Sequence, residues 1–124
     1  MLLNQLTIPS QDLHQAIPFY ETLGFQLIVD SRPRYVRFLA PDGQATFSIH
    51  RVDQPIQQPG VHIYFECEEL DKQVARLEAK GIVFLTQPTD QSWLWREAHL
   101  EDPDGNHLTL YQAGGNRINP PWRV

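Results

Sequence analysis

The sequence predicts an α+β protein made of two tandem βαβββ modules that join into one curved, mostly antiparallel sheet structure. The order strand, helix, strand, strand, strand occurs twice, and each half contains a Pro-Asp-Gly turn. The glycines that end the two predicted helices, Gly24 and Gly81, lie 57 residues apart (81 − 24), as do the strand residues Gln5 and His62 (62 − 5). Because one βαβββ unit cannot cover both faces of its own sheet, two copies are expected to combine.

In the first half, residues 3–8 alternate polar and apolar side chains, as a strand does. The segment QDLHQAIPFYETLGF places apolar residues at helical spacing, with Ser10 or Asp12 as the N-cap, although Pro18 disfavours the middle of this helix. FQLIVD, RYVRFLA and QATFSIHRV are predicted strands, and the last two flank the turn at 41–43.

The second half repeats this pattern. VHIYFE is a predicted strand, and ELDKQVARLEAKG is a predicted amphipathic helix with Leu70, Val74 and Leu77 facing inward. IVFLT, LWREAHLE and HLTLYQ are predicted strands, and the last two flank the turn at 103–105. The neighbouring Arg96 and Glu97 are interpreted as an exposed pair on a strand.

We expect one domain over residues 1–124, because this length is sufficient for one core and too short for two ordinary domains. The modules cover about 1–52 and 60–112, the Pro-rich segment DQPIQQPG links them, and 113–124 form a C-terminal tail. We expect Trp122 to anchor this tail against the body of the protein or a partner subunit.

Composition excludes several classes of function. The net charge of −5 argues against nucleic acid as a partner, because phosphate binding requires a basic surface. Cys67 is the only cysteine, so neither an intramolecular disulfide nor a cysteine-based zinc site is expected. We find no signal peptide and no stretch long enough to span a bilayer, and therefore expect a cytoplasmic protein without a membrane partner.

The polar faces of four predicted strands suggest a ligand-binding cleft. Alternation leaves Leu and Ile side chains on one face of each strand, where the helices need an apolar surface. The opposite faces carry no Lys or Arg and a single Glu, whereas a face that only meets water is usually rich in Lys and Glu. These opposite faces consist of Gln5, Thr7, Thr46, Ser48, His50, His62, Tyr64, Glu66, His107, Thr109 and Tyr111.

The chain resembles the vicinal oxygen chelate superfamily, which includes glyoxalase I, extradiol dioxygenases and bleomycin resistance proteins. The resemblance lies in IPSQDLHQAIPFYETLGF (8–25), GVHIYFECEELD (60–71) and WREAHLEDPDGNHLTLY (95–111), and it extends over nearly the whole chain. It implies paired βαβββ modules, a U-shaped sheet around a cavity, and a homodimer.

Metal-dependent members of this superfamily use one ligand from each of four strands. The resemblance places Gln5, Ser48, His62 and Thr109 at these positions. Neutral hydroxyls are poor ligands for zinc or nickel, and the carboxylate that commonly serves as fourth ligand and as acid/base is absent. We therefore expect no metal and no other cofactor, and any metal site that does form is expected to use Gln5, His62 and His50.

The metal-free, bleomycin-resistance-like branch fits these residues better. It implies a small-molecule-binding protein of the glyoxalase/bleomycin resistance group whose aromatic side chains stack on a flat organic ligand, with Trp93 as one further candidate. The alternatives are a metal-dependent lyase, isomerase or dioxygenase of the glyoxalase-like type, and a structural or regulatory dimer with a vestigial cavity. The predicted cavity residues are Gln5, Ser48, His50, His62, Tyr64, Trp95, His107, Thr109 and Tyr111.

Overall fold

The computed structural model describes all 124 residues, which divide into two compact units. Unit 1 consists of Met1–Val61 together with Asp102–Asn106, and unit 2 consists of His62–Glu101 together with His107–Val124. Each unit contains one four-stranded sheet and one α-helix, which confirms the predicted α+β class and the tandem βαβββ modules.

Unit 1 contains β1 (Gln5–Ser10), α1 (Leu13–Thr22), β2 (Gln26–Ser31), β3 (Tyr35–Leu39) and β4 (Thr46–Arg51). The strands lie in the order β1-β4-β3-β2. β1 pairs with β4 in parallel, and the other two pairs are antiparallel. This topology places the polar residues of β1, β3 and β4 on one face of the sheet.

The ends of α1 follow from local sequence. Asp12 is the N-cap, and its Oδ1 accepts a hydrogen bond from the backbone N–H of His14 at 3.0 Å. The helix continues through Pro18. Gly24 follows the C-cap with φ of +101°, a conformation that a residue with a Cβ rarely adopts. Both predicted helix signals, the cap and the terminating glycine, are therefore confirmed.

An aromatic cluster forms the core of unit 1. The ring of Tyr20 lies 4.9 Å from that of Phe47, and the ring of Phe25 lies 5.2 Å from Phe47, with the fully buried Phe38 beside them. The hydroxyl of Tyr20 donates to Oδ2 of Asp102 at 2.6 Å. Burial, followed by the charge of Asp102, raises the pKa of Tyr20 far above its usual range, so this phenol remains a hydrogen-bond donor.

The turn Asp102–Asn106 belongs to unit 1, although the segments on both sides of it in the sequence belong to unit 2. Oδ1 of Asp102 accepts from the backbone N–H groups of Asp104 and Asn106, which closes the turn. The amide of Asn106 donates to the carbonyl of Pro9 at 3.1 Å. Side-chain hydrogen bonds from this turn therefore complete the core of unit 1.

Unit 2 contains β5 (His62–Glu66), α2 (Leu70–Ala79), β6 (Thr89–Asp90), β7 (Arg96–Glu101) and β8 (His107–Gln112), followed by a short 3-10 helix (Gly114–Arg117). Its strand order is β5-β8-β7-β6, again with one parallel pair, β5 with β8. Leu70, Val74 and Leu77 of α2 are buried, as predicted.

One predicted strand of unit 2 is wrong. IVFLT is not a strand: the backbone N–H groups of Leu85 and Thr86 both donate to the carbonyl of His99, and Val83 is 80% exposed. A strand ladder needs alternating partners, and these two donors share one. Trp122 is 56% exposed, so it is not buried against the body of the chain, and its anchoring of the tail against a partner subunit stays a prediction.

The tail is held elsewhere. Asn116 accepts a hydrogen bond from the indole N–H of Trp95 at 3.5 Å, and Arg117 lies 3.6 Å from the carboxylate of Glu66.

No helix of the structure combines the length and apolarity that crossing a membrane requires.

Candidate functional site

On the polar face of unit 1, two predicted site residues, Gln5 and Ser48, hydrogen-bond to neighbouring strands. The side-chain oxygen of Gln5 accepts from Thr46 Oγ1 at 2.9 Å. The buried hydroxyl of Ser48 lies 2.7 Å from the hydroxyl of Tyr35, which also accepts from Nε of Arg37 at 2.9 Å. Desolvation acts to raise the pKa of Tyr35, but the hydrogen bonds from Ser48 and Arg37 and the charge of Arg37 lower it below its usual value.

His50 is exposed and lies opposite Tyr35 in the strand register. The three predicted residues of unit 1 thus lie on one sheet face, with Gln5 beside Thr46, and Ser48 and His50 following along β4. Only Ser48 is buried.

Unit 2 brings three predicted aromatic residues into contact. The rings of Trp95 and Tyr111 stack with centroids 4.3 Å apart and planes at 13°. The ring of Tyr64 meets both edge to face, at 6.0 and 5.9 Å. Tyr111 is buried, whereas 47% of Tyr64 is exposed, so Tyr64 presents ring surface to solvent. Burial, followed by the charge of Glu66, raises the pKa of Tyr111.

A chain of close polar contacts, which we call the Glu97–His99–His107 chain, crosses the same face. Glu97 is only 3% exposed, and its Oε2 accepts from the indole N–H of Trp93 at 2.6 Å. Its Oε1 lies 3.0 Å from Nε2 of His99. Nδ1 of His99 lies 2.9 Å from Nε2 of His107 and 3.1 Å from Oγ1 of Thr109.

His107 is the outer member of this chain. It is partly exposed, and its ring stacks on that of His62 at 4.6 Å. Burial, followed by the charges that His62 and His99 carry when protonated, lowers the pKa of His107. His107 is therefore more often neutral than an ordinary exposed histidine at the same pH.

Glu97 and His99 were missed as site residues by the sequence analysis. The interpretation of Arg96 and Glu97 as an exposed pair is wrong, because Glu97 is buried and Arg96 instead binds Asp71 at 2.9 Å. The alternation in REAHLE contained the signal: Ala98 and Leu100 are fully buried on the apolar face, which places Glu97, His99 and Glu101 on the polar one.

The donor set does not form a metal centre. No group of three or more His, Cys, Asp or Glu side chains is arranged to hold a metal ion. The hydroxyls of Ser48 and Thr109 bind Tyr35 and His99. These residues do not fit a metal at the four positions that the resemblance suggested, and the expected absence of a metal stays a prediction.

A separate apolar groove of about 370 Å³ lies in unit 1. Its lining includes Ile8, Val52, Ile56 and Val61, and it contains none of the predicted site residues. Since specific ligand sites combine apolar walls with several convergent polar groups, the polar face of unit 2 is the better candidate.

Six of the nine predicted cavity residues lie in unit 2, where they form two groups. The first group, joined by ring contacts, is Tyr64, Trp95 and Tyr111. The second is His62, His107 and Thr109: His62 stacks on His107, and His99 connects His107 to Thr109 through hydrogen bonds. A single cavity formed by all nine residues stays a prediction.

The fold agrees with the family to which the sequence is similar. Residues 2–110 match the Glyoxalase/Bleomycin resistance protein/Dioxygenase superfamily. The chain belongs to this superfamily, which confirms the resemblance seen in the sequence.

One relative is similar in sequence, and two solved structures are similar in fold. The chain is 33% identical over 109 residues to an uncharacterized protein of Mycolicibacterium smegmatis, covering 86% of this chain and 89% of the relative. It is similar in fold to a glyoxalase/bleomycin resistance protein/dioxygenase from Nocardioides, with a TM-score of 0.80, 22% identity, and coverage of 100% of this chain and 89% of the other. It is also similar in fold to a lactoylglutathione lyase from Agrobacterium tumefaciens, with a TM-score of 0.75, 19% identity, and coverage of 95% and 96%.

Proposed function

We propose that this protein binds a flat, aromatic organic molecule on the polar face of unit 2, without a metal and without another cofactor. The observation that carries the proposal is the aromatic group of Tyr64, Trp95 and Tyr111, in which a stacked pair supports a half-exposed third ring. Rings held by their neighbours lose little conformational freedom when a ligand stacks on them, which favours binding.

The residues beside this group supply few but oriented polar contacts. His62 and His107 lie on the same face as Tyr64 and Thr109, one step away along paired strands. An apolar stacking surface with a small number of fixed polar groups is typical of small-molecule sites. The lack of a fitting metal-ligand set supports binding over metal-assisted chemistry.

A library of flat aromatic compounds, screened by thermal shift and by tryptophan fluorescence, tests the proposal. We expect hits whose affinity falls several-fold in Tyr64→Ala, because one aromatic contact contributes about 0.5–1.5 kcal/mol beyond area burial. Val83→Ala is the matched control, since Val83 is an exposed apolar residue of unit 2 outside the strands. Hits whose affinity is unchanged in Tyr64→Ala, Tyr111→Ala and His62→Ala would contradict binding on this face.

The proposal also includes a cytoplasmic homodimer. Large apolar side chains are exposed at both ends of the chain, including Leu2, Leu3, Ile118 and Trp122. Exposed apolar surface of this kind is commonly covered by a partner. We expect light scattering at micromolar concentration to give twice the chain mass of 14.4 kDa, and a monomer mass across a dilution series would contradict the dimer.

A further inference from the structure

The Glu97–His99–His107 chain determines which ring nitrogens carry protons. The carboxylate of Glu97 accepts a hydrogen bond from Nε1 of Trp93 at 2.6 Å, and its Oε1 lies 3.0 Å from Nε2 of His99, a distance at which the carboxylate would repel a nitrogen lone pair. Because Glu97 is 3% exposed, water does not replace these donors. The hydrogen of His99 therefore lies on Nε2.

The position of the proton on His99 determines the position of the proton on His107. A neutral imidazole that donates from Nε2 accepts at Nδ1. Nδ1 of His99 faces Nε2 of His107 at 2.9 Å, which is closer than the hydroxyl of Thr109 at 3.1 Å. His107 must therefore donate from Nε2, and its own Nδ1 is left as a hydrogen-bond acceptor.

Nδ1 of His107 has no hydrogen-bond partner elsewhere in the protein, and the ring of His107 is partly exposed. Its neighbours on unit 2 are the stacked ring of His62 on β5, and His99 and Glu101 on β7. None of these groups donates a hydrogen bond to it. Tyr64 lies diagonally opposite on the paired strand, within reach of one flat ligand that contacts both side chains.

We propose that Glu97 and His99 position His107 as a fixed hydrogen-bond acceptor, which selects flat ligands that carry a hydroxyl or N–H group. The inference rests on the proposed binding function and names its specificity-determining residue. In this arrangement Glu97 and His99 are positioning residues, because they act on the ligand only through His107.

The first test needs no ligand. A long-range proton–nitrogen correlation spectrum of the histidine rings reports which nitrogen of each ring is protonated at neutral pH. We expect His99 and His107 both to be protonated on Nε2, with assignments supported by His14→Gln, which removes an exposed ring of unit 1. A proton on Nδ1 of His107, or a mixture of the two forms, would overturn the proposal.

Glu97→Gln sharpens this test. The single carbonyl oxygen of the new amide is expected to accept from Trp93, the closer donor, so that its NH2 group donates to His99. In both rings the proton then lies on Nδ1 instead of Nε2, and Nδ1 of His107 becomes a hydrogen-bond donor. Unchanged spectra in this variant would show that Glu97 does not set the protonation of His107.

The second test compares 2-naphthol with 2-methoxynaphthalene by calorimetric titration, because only the first carries an O–H donor. We expect wild type to prefer 2-naphthol by about 2- to 12-fold, the range of one net hydrogen bond. His107→Phe should remove this preference while retaining 2-methoxynaphthalene binding, and Glu97→Gln should remove or reverse it. Thermal melts confirm that each variant is folded.

A preference that survives His107→Phe would overturn the selector role, even with the expected spectra. If neither naphthalene binds wild type, the proposed stacking function fails on this face and the selector role fails with it, while the spectra still decide whether Glu97 and His99 orient His107.

Discussion

Units 1 and 2 share one sheet topology but place their clusters of aromatic rings on opposite faces of that sheet. In unit 1, Tyr20 and its phenylalanine neighbours lie in the core between helix and sheet. In unit 2 the corresponding core is aliphatic, built on residues such as Val74 and Leu108, and the aromatic group lies on the polar face. The same βαβββ order thus buries an aromatic cluster in one case and, in the other, carries the surface on which we propose that a ligand binds.

This difference follows from side-chain choice at equivalent strand positions. A strand alternates its side chains between two faces, so moving a ring by one position moves it from core to surface. An exposed side chain on the polar face of unit 2, such as Tyr64, can therefore change without altering the packing between helix and sheet.

The largest expected effect is the loss of a core ring in unit 1. Phe38→Ala removes a fully buried ring, and we expect the free energy of unfolding to fall by about 3–5 kcal/mol. Tyr64→Ala in unit 2 should change it by roughly 0.5 kcal/mol, because nearly half of this side chain is exposed. Urea unfolding followed by circular dichroism measures both, and equal losses would contradict the contrast between the two units.

A smaller effect should appear in the pH dependence of stability. His107 has a lowered pKa in the folded protein, so the unfolded chain binds its proton more readily. The resulting contribution of His107 to the free energy of unfolding is fully present above the usual histidine pKa of 6.5. It is lost as the pH falls toward and through the lower pKa that His107 has in the folded protein. The melting temperature of wild type should therefore decline more steeply on acidification than that of His107→Gln.

Melting curves recorded between about pH 7.5 and pH 5 provide the measurement. His14→Gln should retain the wild-type slope, since this residue is exposed on α1. Parallel slopes for wild type and His107→Gln would show that His107 does not contribute to this dependence.

The smallest expected effect is that of metal removal. We expect no stoichiometric zinc, nickel, manganese or iron in protein purified without a tag or chelator, and no change in ligand affinity after EDTA treatment. Elemental analysis checks this expectation. Nearly one metal per chain, lost in His62→Ala, would instead favour the metal-dependent lyase, isomerase or dioxygenase.

Sequence patterns predicted the features that depend on near neighbours. The cap at Asp12, the glycines that end both helices and the buried face of α2 all follow from residues within a few positions. The composition of IVFLT predicts a strand because β-branched and aromatic residues favour strands. In the structure, the backbone hydrogen bonds from Leu85 and Thr86 of this segment share the carbonyl of His99 and do not form a strand ladder.

The candidate site was only partly predictable. The aromatic and histidine residues of β5 and β8 were identified from alternation, but Glu97 was not, because a charged residue is normally exposed and only its contacts with Trp93 and His99 explain its burial. Tyr20 and Asp102 are 82 positions apart, and no local pattern relates them.

The turn Asp102–Asn106 has a consequence for the order in which this chain folds during synthesis. When residue 61 leaves the ribosome, the strands and helix of unit 1 are all present, yet Tyr20 and Pro9 still lack the partners that Asp102 and Asn106 supply. Translation must continue through β7 before the first unit acquires its last hydrogen bonds. The two halves of this repeat are therefore not independent in time: the amino-terminal half cannot be completed until most of the carboxy-terminal half has been made.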